Sequence, residues 1–438
     1  MLPTRTWSVV VAGAVVLIAM APRPAATQAA VSTKTLVIAP FGEVRTRAEW
    51  DRPGGGAKAD AFALLRSRFG VRIEPTATSR VVFQLQDSRV LGTTPTTTTS
   101  GADVIDLHQG YFELTSRASG IVRSVRAGRQ EIALGNERLV GPVNWSNTGR
   151  SFDGLRVSLA PDAPDNRWNI TGFAAIVEER GRHFGSPVPV VGAPDHGLVG
   201  FYGTRRASPT MTLDATLLYD ADAGYRSYVG ARRATLDTRI RSTRAASALP
   251  IGVELETAVQ TGRQRYVPAV PAPATQQDLL AWLVGARVGR FAQAGRRTTF
   301  AFGADVLSGD ATPTDGSYSA FATMYATNHP WYGTMDIIGD PAASTRERGL
   351  VDVVSTITAP VASVTVKGEV HRFLLATGAS RSLGWEFDAA VPVMIFDVGR
   401  LEIGYSVFLA QVGAAAVGLA PNKSTKHWSF LQLALPFQ

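Results

Sequence analysis

Segments of about 10 residues in which apolar and polar side chains alternate recur along this chain, the length of a tilted strand crossing a bilayer. No window after the first 29 residues approaches the roughly 20 consecutive apolar residues that a membrane-spanning helix needs. Successive side chains of a strand point to opposite faces, so each segment can be sorted by parity. In Leu65–Glu74 one face carries Leu65, Phe69, Val71 and Ile73, and the other Arg66, Arg68, Arg72 and Glu74. Val81–Ser88 sets Val81, Phe83 and Leu85 against Gln84, Gln86 and Ser88. Met211–Asp220, Ile251–Gln260, Ala362–Arg372 and Leu383–Val391 split in the same way, the last two placing His371, Glu386 and Asp388 on the polar side. Strands of soluble sandwiches also alternate but average about 5 to 6 residues, so length favours a membrane barrel.

Composition then sharpens the class. Of 438 residues, 45% are hydrophobic, only 18% are charged, and none is cysteine. That apolar fraction excludes a disordered chain, and the missing thiols exclude disulfide scaffolds, zinc ribbons, iron–sulfur clusters and cysteine nucleophiles. Residues 1–29 have the three-part layout of a secretory signal: Arg5, an apolar run from Val9 to Met20, and a small-residue region ending near Ala29. Its removal takes Arg5 and Arg23, lowering the net charge from +8 to +6. Residues 30–438 are then read as one domain, an all-β transmembrane antiparallel barrel with room for about 18 strands. Leu91–Ala102, Gly185–Gly197, Val267–Gln276 and Val412–Thr425, biased toward Pro, Gly, Thr or Ala, are read as its loops.

Parity also assigns a lumen. Arg66, Arg68, Arg72, Arg150 and Arg156 fall opposite apolar neighbours and should point inward, because an arginine on the lipid face costs about 2–4 kcal/mol at the midplane. Arg129 is less clean, since Arg126 and Gln130 occupy the other face of its strand. Asp214, Glu254, Glu256, Asp305, Glu386, Asp388 and Glu402 also lie on polar parities, so the lumen is mixed in sign. Those acids either set up a transverse field or pair with the basic residues to stiffen the wall. Trp145, Phe201, Tyr202, Trp331 and Tyr332 fit the aromatic girdle of a barrel better than sugar stacking.

A longer pattern supports this reading. GRQ at Gly128–Gln130, RLVGPVNWSNTGRSFDG at Arg138–Gly154 and DLHQGYFEL at Asp106–Leu114 resemble the signature region of the alginate export family. DVLSGD at Asp305–Asp310, ATMYATNHPWYGTMD at Ala322–Asp336, LGWEFDAAVPVM at Leu383–Met394 and GYSVF at Gly404–Phe408 continue the resemblance in order. It implies a monomeric outer-membrane barrel of about 18 strands with an arginine-rich lumen that passes an anionic polysaccharide or oligosaccharide. Arg129, Arg138 and Asp153 join the expected pathway on this resemblance, beside Arg66, Arg68, Arg72, Arg150, Arg156, Asp305, Glu386 and Asp388. Many outer-membrane barrels close on a phenylalanine read by the barrel assembly machinery; here Phe437 is penultimate and Gln438 follows.

Other classes fit less well. The six histidines are scattered, with no HExxH helix and no GxSxG elbow, so neither an enzyme nor a cofactor or metal is expected. The basic residues alternate on strands and form no run, which argues against nucleic acid as a partner. The expected surroundings are outer-membrane lipid and lipopolysaccharide. The alternatives are a porin for small anions and, in another class, a secreted glycan-binding β-protein.

Overall fold

A computed structural model describes residues 36–53, 56, 58–91, 103–163, 167–178, 195–222, 230–242, 251–266, 275–290, 298–312 and 314–438. Residues 1–29, read from sequence as a secretory signal, lie outside the described residues, as do the Thr- and Pro-rich stretches after Leu91, Glu178 and Tyr266.

The strands in chain order are β1 (Val37–Arg52), β2 (Asp60–Thr76), β3 (Ser79–Leu91), β4 (Asp103–Ala118), β5 (Ile121–Gln130), β6 (Phe152–Pro161) and β7 (Trp168–Glu178). Next come β8 (His196–Ser208), β9 (Met211–Ala221), β10 (Ala231–Ser242), β11 (Gly252–Tyr266), β12 (Thr275–Arg290) and β13 (Thr299–Leu307). The last are β14 (Ser317–Tyr318), β15 (Leu350–Val361), β16 (Val364–Leu375), β17 (Ser382–Ile395), β18 (Gly399–Ala410) and β19 (Thr425–Phe437). The two-residue β14 lies parallel to β12 as a side pairing. The other 18 form an up-and-down antiparallel barrel, closed where β1 pairs with β19 from Gly42↔Phe437 to Arg52↔His427. Closure removes every free edge, the only way a sheet can satisfy its backbone in lipid.

The parity sorting holds in three dimensions. Phe69, Phe83, Phe112, Leu217, Leu255 and Phe387 are all more than 40% exposed on the outside, while Arg66, Gln84, Asp214, Glu256 and Glu386 are buried inside. At β19, Leu431, Leu435 and Phe437 face out and Trp428, Phe430 and Gln432 face in. An apolar belt of this extent needs lipid around it. Gly404 shows how the inner wall is filled: a Cβ there would run into the Phe430 ring. The strands are longer than expected, up to 17 residues in β2. At about 3.3 Å per residue and a tilt near 45°, such a strand rises about 40 Å and outruns the roughly 25 Å apolar band.

The two ends differ. One end is closed by short turns such as Ser119–Gly120, whose positive φ angles of 54° and 68° suit the two-residue hairpin turn that matches strand twist. The other carries the long connections. Three of these, residues 131–151 between β5 and β6, 308–349 between β13 and β15, and 411–424 between β18 and β19, supply buried residues to the interior. Ile132, Leu139, Val140, Phe321, Tyr332, Ile338, Ala414 and Val417 join strand residues such as Leu218, Leu283 and Phe373 in one apolar cluster. The first two segments touch through a parallel bridge, Val140↔Tyr325. Two short helices lie on these segments, α1 (Pro341–Ser344), whose N-cap Asp340 accepts from the Ala342 and Ala343 amides, and α2 (Val412–Val417). The stretch 412–425, read from sequence as a loop, is thus partly helical, because its alanines pack on β17.

Candidate functional site

The inserted segment 131–151 crosses the lumen and meets β1 and β2. Val143, a β-branched residue held at φ 52°, and Gly149 at 71° bracket the turn 144–148. Such a conformation is costly for valine and persists only when neighbours enforce it. Val143 donates its N–H to the Thr327 hydroxyl at 3.2 Å, and the turn that follows it is gripped by arginines. Arg45 donates to the carbonyls of Asn144 and Ser146 at 2.7 and 2.9 Å, and Arg66 donates to the same two at 2.9 and 3.0 Å. Arg47 bonds the Trp145 carbonyl at 2.9 Å and lies 3.9 Å over its ring, and Arg68 bonds Asn144 Oδ1 at 2.8 Å.

Arg150 likewise donates to carbonyls, those of Gly141, Tyr325 and Ala326. A carbonyl satisfies a guanidinium without cancelling its charge. Carboxylates reach these five arginines at Glu43 (Arg66, 2.7 Å), Glu49 (Arg47, 2.7 Å) and Glu131 (Arg68, 3.4 Å). Burial alone would raise the Glu131 carboxyl, but the His108 hydrogen bond and the Arg68 charge outweigh it and hold it below the usual carboxylate range. The neck therefore keeps surplus positive charge.

Trp145 stacks on His329 from the 308–349 segment, centroids 4.1 Å apart and rings 8° from parallel, and Phe430 meets its edge at 5.2 Å. This stack borders two cavities. One, about 740 Å³, opens toward the long-connection end and carries Glu49, Asp51, Asp60, Asp336 and Asp340 against Arg47, Arg150 and Lys426. The other, about 620 Å³, lies toward the short-turn end and carries Glu43, Glu369, Asp388 and Glu402 against Arg45, Arg66, Lys367 and Arg400. Trp145 and His329 line both, so they mark the neck between two vestibules.

Below the neck a row of charges crosses four strands: Arg80↔Glu113↔Arg126↔Arg156 are direct cross-strand neighbours. Arg126 bonds Glu113 at 3.1 Å and lies 4.1 Å over Tyr111. Arg72 sits beside this row, 3.6 Å from Glu74. Four arginines around two glutamates make this part of the short-turn mouth basic.

On the far wall Arg138, from the inserted segment, is wholly buried. It bonds Asp305 at 3.0 Å and Tyr332 at 3.1 Å, approaches Glu256 to 3.3 Å and lies 3.9 Å over Trp331. Burial opposes its charge, but Asp305 foremost, then Tyr332 and Glu256, hold its pKa well above the ordinary value. Arg287 also reaches Asp305, at 2.7 Å. Glu386 accepts from the Met335 amide at 2.9 Å and Asp388 from the Thr334 hydroxyl at 2.6 Å, both tying the 308–349 segment to β17.

The structure thus gathers Arg66, Arg68 and Arg150 at the neck, Arg72 and Arg156 near the short-turn mouth, and Arg138, Asp305, Glu386 and Asp388 in contacts that fasten the inserted segments. Arg129 and Asp153 are placed elsewhere. They pair with each other at 3.8 Å on the parity opposite buried Gln130 and Phe152, facing outward next to Ile176. The girdle reading is corrected for Trp145, Trp331 and Tyr332, which lie inside because both inserted segments fold into the lumen. Phe201, 57% exposed, does face out, while Tyr202 turns in to bond Asp214 at 3.2 Å.

Arg45 and Arg47 were missed as pathway residues, although the same parity count over Arg45, Arg47 and Glu49 against Val44, Thr46 and Ala48 reveals them. Ser151, His108 and Glu131 also form a chain with the outline of a hydrolytic triad. The Ser151 hydroxyl, however, is 2.6 Å from the His108 carbonyl and 3.3 Å from its Nδ1, so its proton is engaged by the backbone.

The family model for alginate export matches residues 42–392. The chain belongs to the alginate export family. With an 18-strand barrel belted in apolar residues, that membership makes the protein an outer-membrane channel of the Gram-negative type. Solved structures similar in fold include a BenF-like porin from Pseudomonas fluorescens Pf-5, with 10% identity, TM-score 0.59, and 91% of this chain and 99% of that one covered. OccAB1 of Acinetobacter baumannii has 10% identity, TM-score 0.58 and coverage of 92% and 97%. OccK2 (OpdF) of Pseudomonas aeruginosa has 11% identity, TM-score 0.58 and coverage of 91% and 97%. No curated protein sequence matches the chain.

Proposed function

We infer that the protein conducts an anionic polysaccharide or oligosaccharide of the uronate kind passively across the outer membrane. The observation that carries this reading is the neck, where Arg45, Arg47, Arg66 and Arg68 converge on the 144–148 turn and Arg150 on the carbonyls of Gly141, Tyr325 and Ala326, five guanidiniums met by three carboxylates, Glu43, Glu49 and Glu131. A fixed positive ring at the narrow point raises the local concentration of carboxylate, and arginine keeps its charge at every physiological pH. The basic row of Arg80, Arg126 and Arg156 supports the same reading from the short-turn side. In this reading the chain works as a monomer in lipid and lipopolysaccharide, is exported by its signal segment and inserted by the barrel assembly machinery, and needs no cofactor. No enzymatic step is assigned.

Planar-bilayer conductance with an added uronate oligomer tests it. Block by the oligomer, weakened about tenfold in an Arg47→Ala/Arg66→Ala double variant, is the expected result. Cation-selective conductance indifferent to the oligomer overturns it. The second reading, a porin for small anions, is favoured by the two segments that fill much of the lumen; block by a monomeric uronate as strong as by the oligomer selects it.

A further inference from the structure

On the wall facing the arginines, β15, β16 and β17 bring Asp352, Glu369, His371, Glu386 and Asp388 together on their lumenal faces. Glu369 and Asp388 are direct cross-strand neighbours, as are His371 and Glu386. His371 is 1% exposed. Its Nδ1 is bonded to the Asp352 carboxylate at 3.0 and 3.1 Å, and its Nε2, buried without a hydrogen-bond partner, points toward Glu369 Oε2 at 3.6 Å. Asp388 spends Oδ1 on Thr334, while its buried Oδ2 has no partner. One ligand atom from each of Glu369, His371 and Asp388 lies within 4.8 Å of the others.

We propose that Glu369, His371 and Asp388 bind a divalent transition-metal ion such as Zn²⁺, with Asp352 as the residue that positions the imidazole. A carboxylate on Nδ1 fixes the tautomer that leaves Nε2 free as a donor, the arrangement that orients metal-bound histidines. One nitrogen and two carboxylate oxygens suit a zinc-like ion better than calcium, which takes oxygen alone. Ligand atoms about 2.0–2.2 Å from a tetrahedral ion stand about 3.3–3.6 Å apart. From separations of up to 4.8 Å the three side chains need to close by at most about 1.5 Å, and Glu369, with a third of its side chain exposed, has the freedom to supply most of it. Glu369 and Asp388 line the short-turn vestibule, which gives the ion an entry route and leaves its remaining positions to water. A bound ion offsets the carboxylates of this wall and makes it less repulsive to an anion. The site itself does not depend on which solute the channel carries.

Calorimetric titration of the full, tag-free, detergent-folded chain with Zn²⁺ tests the proposal, with Ca²⁺ run in parallel. The expected result is one saturable Zn²⁺ site per chain, weakened about 10- to 100-fold by Glu369→Gln and by His371→Gln, and by a similar range in Asp352→Asn. If the buried His371→Gln variant does not fold, the partly exposed Glu369→Gln decides. No saturable uptake below about 1 mM, as expected if His371 is an imidazolium shared by Asp352 and Glu369, overturns the proposal. So does Zn²⁺ binding undiminished in Glu369→Gln, or Ca²⁺ bound more tightly than Zn²⁺.

Discussion

Arg138 and Arg45 are both buried guanidiniums inside one barrel, and they are held by opposite kinds of partner. Arg138 is met by Asp305 and Glu256, with Tyr332 and Trp331 completing its surroundings. Arg45 is met by two backbone carbonyls of the 144–148 turn. The first arrangement cancels charge and fastens the inserted segment to β11 and β13. The second keeps the charge and displays it at the neck. Burial of an arginine therefore says little about its role until the partner is known: a carboxylate makes a rivet, a carbonyl leaves a field.

The largest effect should come from breaking the rivet. Arg138→Ala leaves Asp305 and Glu256 buried beside an empty volume, at a cost of about 3–5 kcal/mol. It should show as a lower temperature of the heat-induced gel shift and noisier single-channel current. An unchanged transition would mean that this cluster does not hold the segment. A smaller and different effect is expected from Arg45→Gln, which keeps hydrogen bonds to the turn while removing one charge. Stability should move by less than about 1 kcal/mol, and the anion-to-cation permeability ratio, read from reversal potentials in a salt gradient, should fall severalfold. A large loss of stability with unchanged selectivity would erase the contrast between the two arginines. The smallest effect belongs to Arg129→Ala. Its 3.8 Å pair with Asp153 is outward-facing and partly exposed, so stability should change by less than about 1 kcal/mol and selectivity not at all. A shift in selectivity as large as that of Arg45→Gln would show that the register argument fails there.

How far the sequence reaches can be judged from the same residues. Arg66 and Arg68 were readable as inward because alternation is local: Phe69 outside fixes its neighbours inside whatever the rest of the chain does. Glu386, Asp388 and His371 were readable in the same way. Arg129 was not, since Arg126, Gly128, Arg129 and Gln130 give both faces a polar residue, and only the pairing of Gln130 with Phe152 shows which face is buried. Trp145, Trp331 and Tyr332 were misread because they sit on connections, where no parity applies.

The sequence by itself determined the wall. Strand-length alternation with no long apolar run admits a closed barrel with one greasy and one wet face, because a two-residue period is written into the backbone. Tertiary structure decided what the wet face does. The segments 131–151 and 308–349 fold inward across 18 strands and supply partners for the charges there, carbonyls for Arg45 and Arg150 and a guanidinium, Arg138, for the Asp305 and Glu256 carboxylates. Several of these partners lie far apart along the chain, as Arg138 does from Asp305 by 167, and only the tertiary fold brings them within a hydrogen bond.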